Sequence, residues 1–240
     1  MTELDAMKRN FINHVTHEFR TPLNAIESAV DILKDEVGDQ KNISRIQDYL
    51  AMVDKNAGTL EHFINELLDL AEIQQSKVHL VKRETDLSHL LRHGIDLIRP
   101  MAEQARVAIH LAAEKIEVVC DAERIQQVIS NLLSNAIKAA PGSDVRVTVD
   151  KFEHEIQINV TDNGAGIRAD HLPHIFSSFF HVDKKTTAVK GSGLGLAVAK
   201  GWVEAHGGKI WAESNGEGQG ATVTFTLPSY ASKPQQRVTD

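Results

Sequence analysis

The stretch HVTHEFRTPLNAI, residues 14–26, lies in the middle of a run without glycine that extends from residue 4 to residue 36. Apolar side chains recur within this run at intervals of three and four residues, the spacing of an amphipathic helix. They are Phe11, Val15, Phe19, Ile26, Val30 and Leu33. The stretch therefore predicts one long helix, with polar residues and a proline in its middle.

A second helical pattern follows after a break at residues 37–42, where Gly38 and polar neighbours favour a turn. Its apolar positions are Ile43, Ile46, Leu50, Val53, Ala57, Leu60, Ile64, Leu67 and Ala71. Two long helices joined by a short turn form an antiparallel all-α helical hairpin. Because two helices cannot enclose their own apolar stripes, we expect a homodimer with a four-helix bundle, the alternative being packing against the rest of the same chain.

The remainder of the chain changes to short segments. The pattern predicts helices at 88–106, with Ser88 as N-cap, at 122–140 and from about 193 to 206, and strands at 78–87, 107–111, 116–120, 145–152, 155–162, 209–214 and 221–227. Such mixing predicts an α+β sandwich with antiparallel hairpins and helices on one face. The fold class is thus multidomain: a hairpin at 1–76, a sandwich at 77–230 and a loose polar tail at 231–240.

Charge and composition exclude several classes of protein. With 33 acidic and 26 basic side chains the net charge is −7, which argues against a nucleic-acid binder or an anionic-membrane binder. The single cysteine, Cys120, rules out an internal disulfide framework and suits a reducing cytosol. No run approaches the roughly 20 apolar residues that span a bilayer, so we expect a soluble chain.

The predicted helix at 122–140 carries Asn131, Asn135 and Lys138 at spacings of four and three, so the three side chains share one face. Its apolar residues take the opposite side. Amide oxygens suit a hard cation such as Mg²⁺, which substrate phosphates usually complete, and a lysine supplies positive charge for those phosphates. A solvated polar face is the alternative interpretation of this helix.

Two glycine-rich segments follow. In DNGAGI, residues 162–167, Asp162 ends a strand and can accept a hydrogen bond from an exocyclic amine, while Gly164 and Gly166 let backbone approach a ring; a plain turn is the alternative. KGSGLGLAVAK, residues 190–200, places glycines before a helix, where backbone N–H groups can meet phosphates. This segment does not follow a strand, which argues against a Rossmann unit.

In this order the motifs resemble those of the sensor histidine kinases of two-component systems. NLLSNAIKAA (131–140), DNGAGI, IFSSFF (175–180) and GSGLGLAVAK (191–200) are similar to the N box, first glycine box, F box and second glycine box of the GHKL-type (Bergerat) ATP-binding domain, and HEFRTPL (17–23) is similar to the H box. The resemblance covers about residues 7–228. It implies a dimerisation and phosphoacceptor hairpin, followed by a domain that binds ATP and Mg²⁺.

The resemblance also implies roles for individual residues. Asn135 would ligate Mg²⁺ with help from Asn131, Lys138 would contact phosphate during catalysis, and Asp162 would bind the adenine amine. Further nucleotide-binding positions are Gly164, Gly166, Ile167, Phe179, His181, Lys184, Gly191, Gly193, Leu194, Gly195, Leu196 and Thr222. The family usually has an arginine near His181, and a histidine lacks its bidentate contact, so we expect weaker γ-phosphate binding with Lys184 or Lys185 as substitutes.

The opening stretch supplies the phosphoacceptor. The apolar stripe of its helix is centred almost opposite His17, so we expect His17 to face solvent. Glu18 lies at the flank, where it can hydrogen-bond one ring nitrogen and act as base, leaving the other nitrogen as nucleophile. Pro22 predicts a bend just after His17. His14 is a competing acceptor, but it lacks the adjacent acid.

The implied function is autophosphorylation of His17 from Mg-ATP and transfer of the phosphoryl group to an aspartate of a response regulator receiver domain. Thr21 stands where the family orients water for dephosphorylating that partner. The alternatives are a nucleotide-binding scaffold and a predominantly phosphatase form; a gyrase-type ATPase is poorly supported, because Asn131 replaces its catalytic glutamate. We expect a cytoplasmic chain whose full-length protein adds an upstream sensor and an inner-membrane segment.

Overall fold

The computed structural model describes residues 3–36, 43–75, 78–180 and 191–229, with side-chain burial from residue 12 onward except at 35, 36 and 43. The chain divides into two compact units, Met1–Asp69 and Leu70–Asp240. The predicted turn at Gly38, the domain boundary at 76–77 and the tail at 231–240 lie outside the described residues. None of the described helices is long and apolar enough to cross a membrane.

The first unit consists of the two predicted helices, α1 (Glu3–Glu36) and nearly all of α2 (Ile43–Gln74). Their apolar stripes meet, as shown by the edge-on contact of Phe19 and Phe63, with ring centroids 5.2 Å apart. Ala29 on α1 is also buried. Pro22 lies inside α1, and the bend expected there stays a prediction. The periodicity of the sequence thus determines both helices.

The second unit contains the α+β sandwich. Its elements are β1 (Arg83–Asp86), α3 (Leu87–Ala105), β2 (Ala108–Ala112), β3 (Glu117–Cys120), α4 (Ala122–Ala139), β4 (Asp144–Lys151), β5 (Glu155–Asp162), a short 3-10 helix (Leu172–His174), α5 (Gly195–Ala205), β6 (Ile210–Glu213) and β7 (Ala221–Pro228). Cys120 is fully buried at the end of β3, as its small apolar side chain favours.

Five strands form one sheet in the order β2-β4-β5-β7-β6, and β1 pairs with β3 in a separate two-stranded sheet. All neighbours in the large sheet are antiparallel except β2 and β4, which are parallel because β3 and α4 form the crossover between them. Along β5, Ile156, Ile158 and Val160 are buried while the alternate residues are half-buried. The helices α3, α4 and α5 contact the sheet, so they cover this apolar face.

Two local predictions at the start of this unit are wrong. The strand expected at 78–87 comprises only Arg83–Asp86. The N-cap of α3 is Asp86, not Ser88, because the Asp86 carboxylate accepts hydrogen bonds from the backbone N–H groups of Ser88 and His89. A hydrogen bond from the Ser88 hydroxyl, with these backbone bonds, lowers the pKa of Asp86. An ionised aspartate accepts more bonds than a serine hydroxyl, so it takes the cap.

His206 connects the end of α5 to the start of α4. Its side chain is buried, its Nδ1 lies 2.7 Å from the Trp202 carbonyl oxygen, and its Nε2 accepts the Asp121 backbone N–H at 3.0 Å. Nε2 must be unprotonated to accept, so the ring is the neutral tautomer with its proton on Nδ1. Burial lowers the pKa of His206, the Lys82 charge adds to the shift, and the Trp202 carbonyl and the Asp121 charge oppose it.

This lowered pKa predicts a pH-dependent stability of the second unit. Above the ordinary pKa of 6.5, the His206 ring is neutral in both the folded and the unfolded chain, so its titration does not reduce the free energy of unfolding. As the pH falls below that value, the His206 ring of the unfolded chain binds a proton while the ring of the folded chain stays neutral. The free energy of unfolding therefore decreases until the pH reaches the folded pKa.

Urea unfolding followed by tryptophan fluorescence tests this, since both tryptophans, Trp202 and Trp211, lie in the second unit. We expect the stability difference between about pH 7.5 and about pH 5.5 to shrink in His206→Gln, which is also less stable. His154→Gln removes an exposed histidine and should retain the wild-type difference. An unchanged difference in His206→Gln would contradict the assignment.

Candidate active site

The C-terminal half of α4 carries the three polar residues that the sequence places on one face. Asn131 is buried, with an exposed fraction of 8%, whereas Asn135 and Lys138 are half-buried. The Asn131 side-chain nitrogen donates to the Gly195 carbonyl oxygen at 3.0 Å. Asn131 therefore holds the first residue of α5 against α4, a contact that the sequence alone did not predict. The predicted apolar face of α4 is buried at Ile125, Val128, Ile129, Leu132, Leu133 and Ala136.

The DNGAGI turn lies directly on the end of α4. The Ala165 backbone N–H donates to the Ala139 carbonyl oxygen at 3.0 Å, and a Cβ added at Gly164 would come within 2.1 Å of that oxygen. Gly166 has a φ of +69°, a conformation that favours glycine. Both glycines are therefore required by the close packing of backbone on backbone. Ile167 completes the turn with its N–H bonded to the Ser214 hydroxyl.

Asp162 ends β5 as a buried carboxylate, with an exposed fraction of 6%. Burial raises the pKa of Asp162, and hydrogen bonds from the backbone N–H groups of Gly164 and Ala221 oppose that shift. The bond from Gly164 N to Asp162 Oδ1 is 2.9 Å long. A buried carboxylate is costly unless it is well hydrogen-bonded, so this site favours a ligand that donates a further hydrogen bond.

The second glycine segment lies beside the same end of α4. A Cβ at Gly191 would lie 3.7 Å from the Lys138 ammonium nitrogen, which places this backbone close to the positive charge. Leu194 is fully buried and Gly195 begins α5, two residues later than predicted. Gly193 and Leu196 are half-buried beside them. A nearby ammonium group and a helix that begins a few residues later are features that favour phosphate binding.

Phe179 and Thr222 border this region. Phe179 has a φ of +63° and donates its backbone N–H to the Gly193 carbonyl oxygen at 2.8 Å, which joins the F box to the second glycine box. The Thr222 hydroxyl on β7 lies 3.0 Å from the Thr161 hydroxyl on β5. His181 and Lys184 lie outside the described residues, so their predicted roles stay predictions.

The phosphoacceptor candidates lie together on α1. The His17 side chain has an exposed fraction of 61%, and its Nδ1 lies 3.3 Å from Glu18 Oε1. The Thr21 hydroxyl donates to the His17 carbonyl oxygen at 3.3 Å, one turn along the same helix. The predicted exposure of His17 is therefore confirmed, and Glu18 contacts one ring nitrogen while Nε2 remains on the other side of the ring.

The fold and these two sites define a class: a phosphoacceptor hairpin joined to an ATP-binding sandwich. Residues 7–76 match the family model of the His Kinase A (phospho-acceptor) domain. Residues 120–231 match that of the histidine kinase-, DNA gyrase B- and HSP90-like ATPases. The chain belongs to the sensor histidine kinases of two-component systems.

Relatives extend this similarity along the whole chain. The sensor histidine kinase WalK of Bacillus subtilis (strain 168) is 34% identical over 231 residues, which cover 94% of this chain and 37% of WalK. The signal transduction histidine-protein kinase AfsQ2 of Streptomyces coelicolor is 32% identical over 243 residues, or 98% of this chain and 44% of AfsQ2. The chain therefore spans less than half of these two relatives.

Solved structures of the family share the fold. Full-length ShkA in complex with AMPPNP matches with a TM-score of 0.70 and 25% identity, covering 94% of this chain and 47% of ShkA. The histidine kinase ThkA in complex with the response regulator protein TrrA matches with a TM-score of 0.68 and 25% identity, covering 95% of this chain and 64% of that one.

Proposed function

We propose that the chain is the catalytic core of an ATP-dependent protein-histidine kinase that phosphorylates His17. The supporting observation is that both glycine-rich segments pack on the C-terminal half of α4: Asn131 bonds Gly195, Gly164 and Ala165 pack on Ala139, and Gly191 approaches Lys138. These contacts bring the segment that begins with Asp162 and the segment that leads into α5 to the same half of α4 as Lys138. The bound AMPPNP of ShkA, a nucleotide analogue, agrees with this use of the fold.

The geometry of α1 fits the nucleophile. Because Glu18 contacts Nδ1, the free Nε2 would attack the γ-phosphorus of ATP, and the bond from that phosphorus to the bridging oxygen would break to release ADP. The ring proton on Nδ1 would pass to Glu18. Lys138 would offset phosphate charge, and catalysis would come mainly from positioning and electrostatics.

Magnesium fits the residues that are present. Within the described residues no group of three or more His, Cys, Asp or Glu side chains could hold a metal ion. The Asn135 amide oxygen, half-buried on the face that carries Lys138, would be a protein ligand, and nucleotide phosphates and water would supply the remainder. When bound at Asn135, Mg²⁺ would supply positive charge that offsets the charge of the phosphates.

A homodimer is supported by the exposed side of the hairpin. Along α2 the buried positions include Phe63 and Leu70, whereas Leu50, Ile64 and Leu68 share a second stripe and remain exposed. Large apolar side chains that remain exposed along one helix stripe favour an interface. A second copy of the hairpin would cover this stripe and complete the predicted four-helix bundle.

The receiver domain of a response regulator is the proposed recipient of the phosphoryl group. A solved structure contains ThkA in complex with the response regulator protein TrrA, and this chain shares the fold of that kinase. The upstream sensor and the membrane segment stay predictions. WalK and AfsQ2 are both longer than this chain, which is consistent with further segments in the full-length protein.

Phosphatase activity is the second candidate, and Thr21 carries it. Its hydroxyl is one turn from His17 and donates to the His17 carbonyl oxygen at 3.3 Å, a long hydrogen bond from which the hydroxyl can rotate to orient a water. With a phosphorylated receiver, Thr21→Ala is expected to lower dephosphorylation at least about tenfold while His17 labelling continues. The control is Thr16→Ala, which removes a hydroxyl from the residue immediately before His17, where it bonds the Ile12 carbonyl oxygen. Equal dephosphorylation by the wild type and both variants would show that Thr21 does not orient the water.

Label chemistry tests the kinase proposal directly. The purified chain is incubated with γ-labelled ATP, with Mg²⁺ or with a chelator, and the labelled protein is treated with acid and with alkali. Acid-labile, alkali-stable label that requires Mg²⁺ is expected, because a phosphoramidate hydrolyses in acid. Absence of label despite nucleotide binding would support the scaffold alternative.

A further inference from the structure

The side chain of Ser214 lies between two loops that border the candidate nucleotide site. It follows β6, and its hydroxyl oxygen accepts the Ile167 backbone N–H at 2.9 Å and the Gly216 backbone N–H at 3.3 Å. The same hydroxyl donates to the Gly220 carbonyl oxygen at 2.6 Å. One side chain therefore links the end of the DNGAGI turn to both ends of the loop between β6 and β7.

The two loops are packed backbone against backbone. The Gly218 N–H donates to the Ala165 carbonyl oxygen at 2.6 Å, and the Gly220 N–H donates to the Gly164 carbonyl oxygen at 3.2 Å. A Cβ added at Gly166 would come within 2.0 Å of the Gly216 carbonyl oxygen, so there is no space for a side chain between the two loops at this point. The turn that follows Asp162 is thus held between α4 on one side and the loop at 214–220 on the other.

We propose that Ser214 is a positioning residue for nucleotide binding, which acts by holding the DNGAGI turn in its binding conformation. This inference rests on the proposed nucleotide site, and in it Ser214 acts through the backbone groups that it bonds. Without the hydroxyl, the Ile167 N–H and the Gly220 carbonyl lose a partner that water replaces poorly in a half-buried position. The turn then becomes mobile, and binding must order it again, which weakens affinity.

The test compares Ser214→Ala with a matched control, Ser88→Ala. Ser88 is also a serine with a shared hydroxyl, which donates to Asp86 Oδ1 at 2.7 Å and accepts from Arg92 at 3.1 Å. It lies at the start of α3, beside the first half of α4; Asn135 and Lys138 lie in the other half. Ser214→Thr retains the hydroxyl and is the rescue variant.

Nucleotide affinity is measured by calorimetric titration with Mg-AMPPNP, and ATP turnover is followed by histidine labelling. Ser214→Ala is expected to raise the Kd and the KM for ATP by about tenfold with kcat little changed, while Ser88→Ala lowers stability and leaves the Kd at the wild-type value. Ser214→Thr should recover most of the affinity. Hydrogen exchange without nucleotide should be faster at the Ile167 amide in Ser214→Ala alone.

A wild-type Kd in folded Ser214→Ala would overturn the proposal, as would an equal rise in Ser88→Ala. If Ser214→Ala does not fold, Ser214→Cys replaces it, since a thiol is a weak donor of similar size and should give an intermediate Kd; a wild-type Kd in that variant would again overturn the proposal. Failure of the wild-type chain to bind Mg-AMPPNP would instead overturn the proposed nucleotide site.

Discussion

His17→Ala is expected to abolish incorporation of label from γ-labelled ATP, a loss of at least about a thousandfold, while nucleotide affinity stays at the wild-type value. The reason is that His17 would supply the attacking nitrogen, which no neighbour replaces: its Nδ1 contacts Glu18, and the exposed ring presents Nε2 to an incoming nucleotide. Because the substitution lies on α1 and the nucleotide motifs lie in the second unit, binding and chemistry should separate cleanly.

The control for this result is His14→Ala, which removes an exposed histidine three residues earlier on the same helix. It should retain labelling, because no acid adjoins His14 in the sequence. Label that persists in His17→Ala and disappears in His14→Ala would transfer the acceptor role to His14. Label that persists in both single variants and in the double variant would mean that the acceptor lies elsewhere.

Asp162→Asn is expected to weaken Mg-ADP binding by about a hundredfold or more. The carboxylate ends β5 in a buried site, where a hydrogen bond from the adenine amine to an ionised acceptor is strong. An asparagine also turns a donor toward that amine or toward the Gly164 N–H. The loss should be specific for the amine, so the preference for ADP over IDP, which lacks it, should shrink in the variant.

The same substitution should not destabilise the empty chain near neutral pH. Burial raises the pKa of Asp162 above its ordinary value of 3.8, so at a pH between that value and the folded pKa the folded chain retains a proton that the unfolded chain has released. The stabilisation that comes from the protonated carboxyl group is lost as the pH rises through the folded pKa. An asparagine side chain is neutral at every pH and does not undergo this loss. Urea unfolding of the nucleotide-free proteins at about pH 7.5 and titration with ADP and IDP measure the two effects.

Asp150→Asn is the matched control for Asp162→Asn. It removes the same charge from the neighbouring strand β4, where Asp150 is exposed and accepts a hydrogen bond from Asn159. Its affinity for both nucleotides should equal that of the wild type. If Asp162→Asn bound ADP as tightly as this control, Asp162 would not be the adenine-binding residue.

Patterns with a short period are what the sequence determines well in this protein. The three-and-four spacing around residues 14–26 gives α1 and the exposure of His17, and alternation along residues 145–162 gives the antiparallel pair β4 and β5. Each of these features depends on residues that are only a few positions apart, so the pattern that determines it can be seen directly in the sequence. The ordered motifs likewise identify the family, because their residue types and spacing are specific.

The tertiary structure decides what depends on distant partners. Asp86 rather than Ser88 caps α3, and β2 joins the sheet in parallel because α4 forms its crossover. Ser214 is not among the functional residues that the sequence predicts, yet it bonds backbone groups up to 47 residues away.

By itself, the sequence of this chain determined the two long helices, the order of the α+β elements and the set of residues suited to ATP and phosphohistidine chemistry. Only the tertiary structure decided which distant groups meet: the buried amide of Asn131 on Gly195, and the neutral ring of His206 on Asp121. The physical reason is that amphipathic periodicity expresses a local preference for burial. Hydrogen bonds between distant backbone groups exist only after the chain has folded and excluded water.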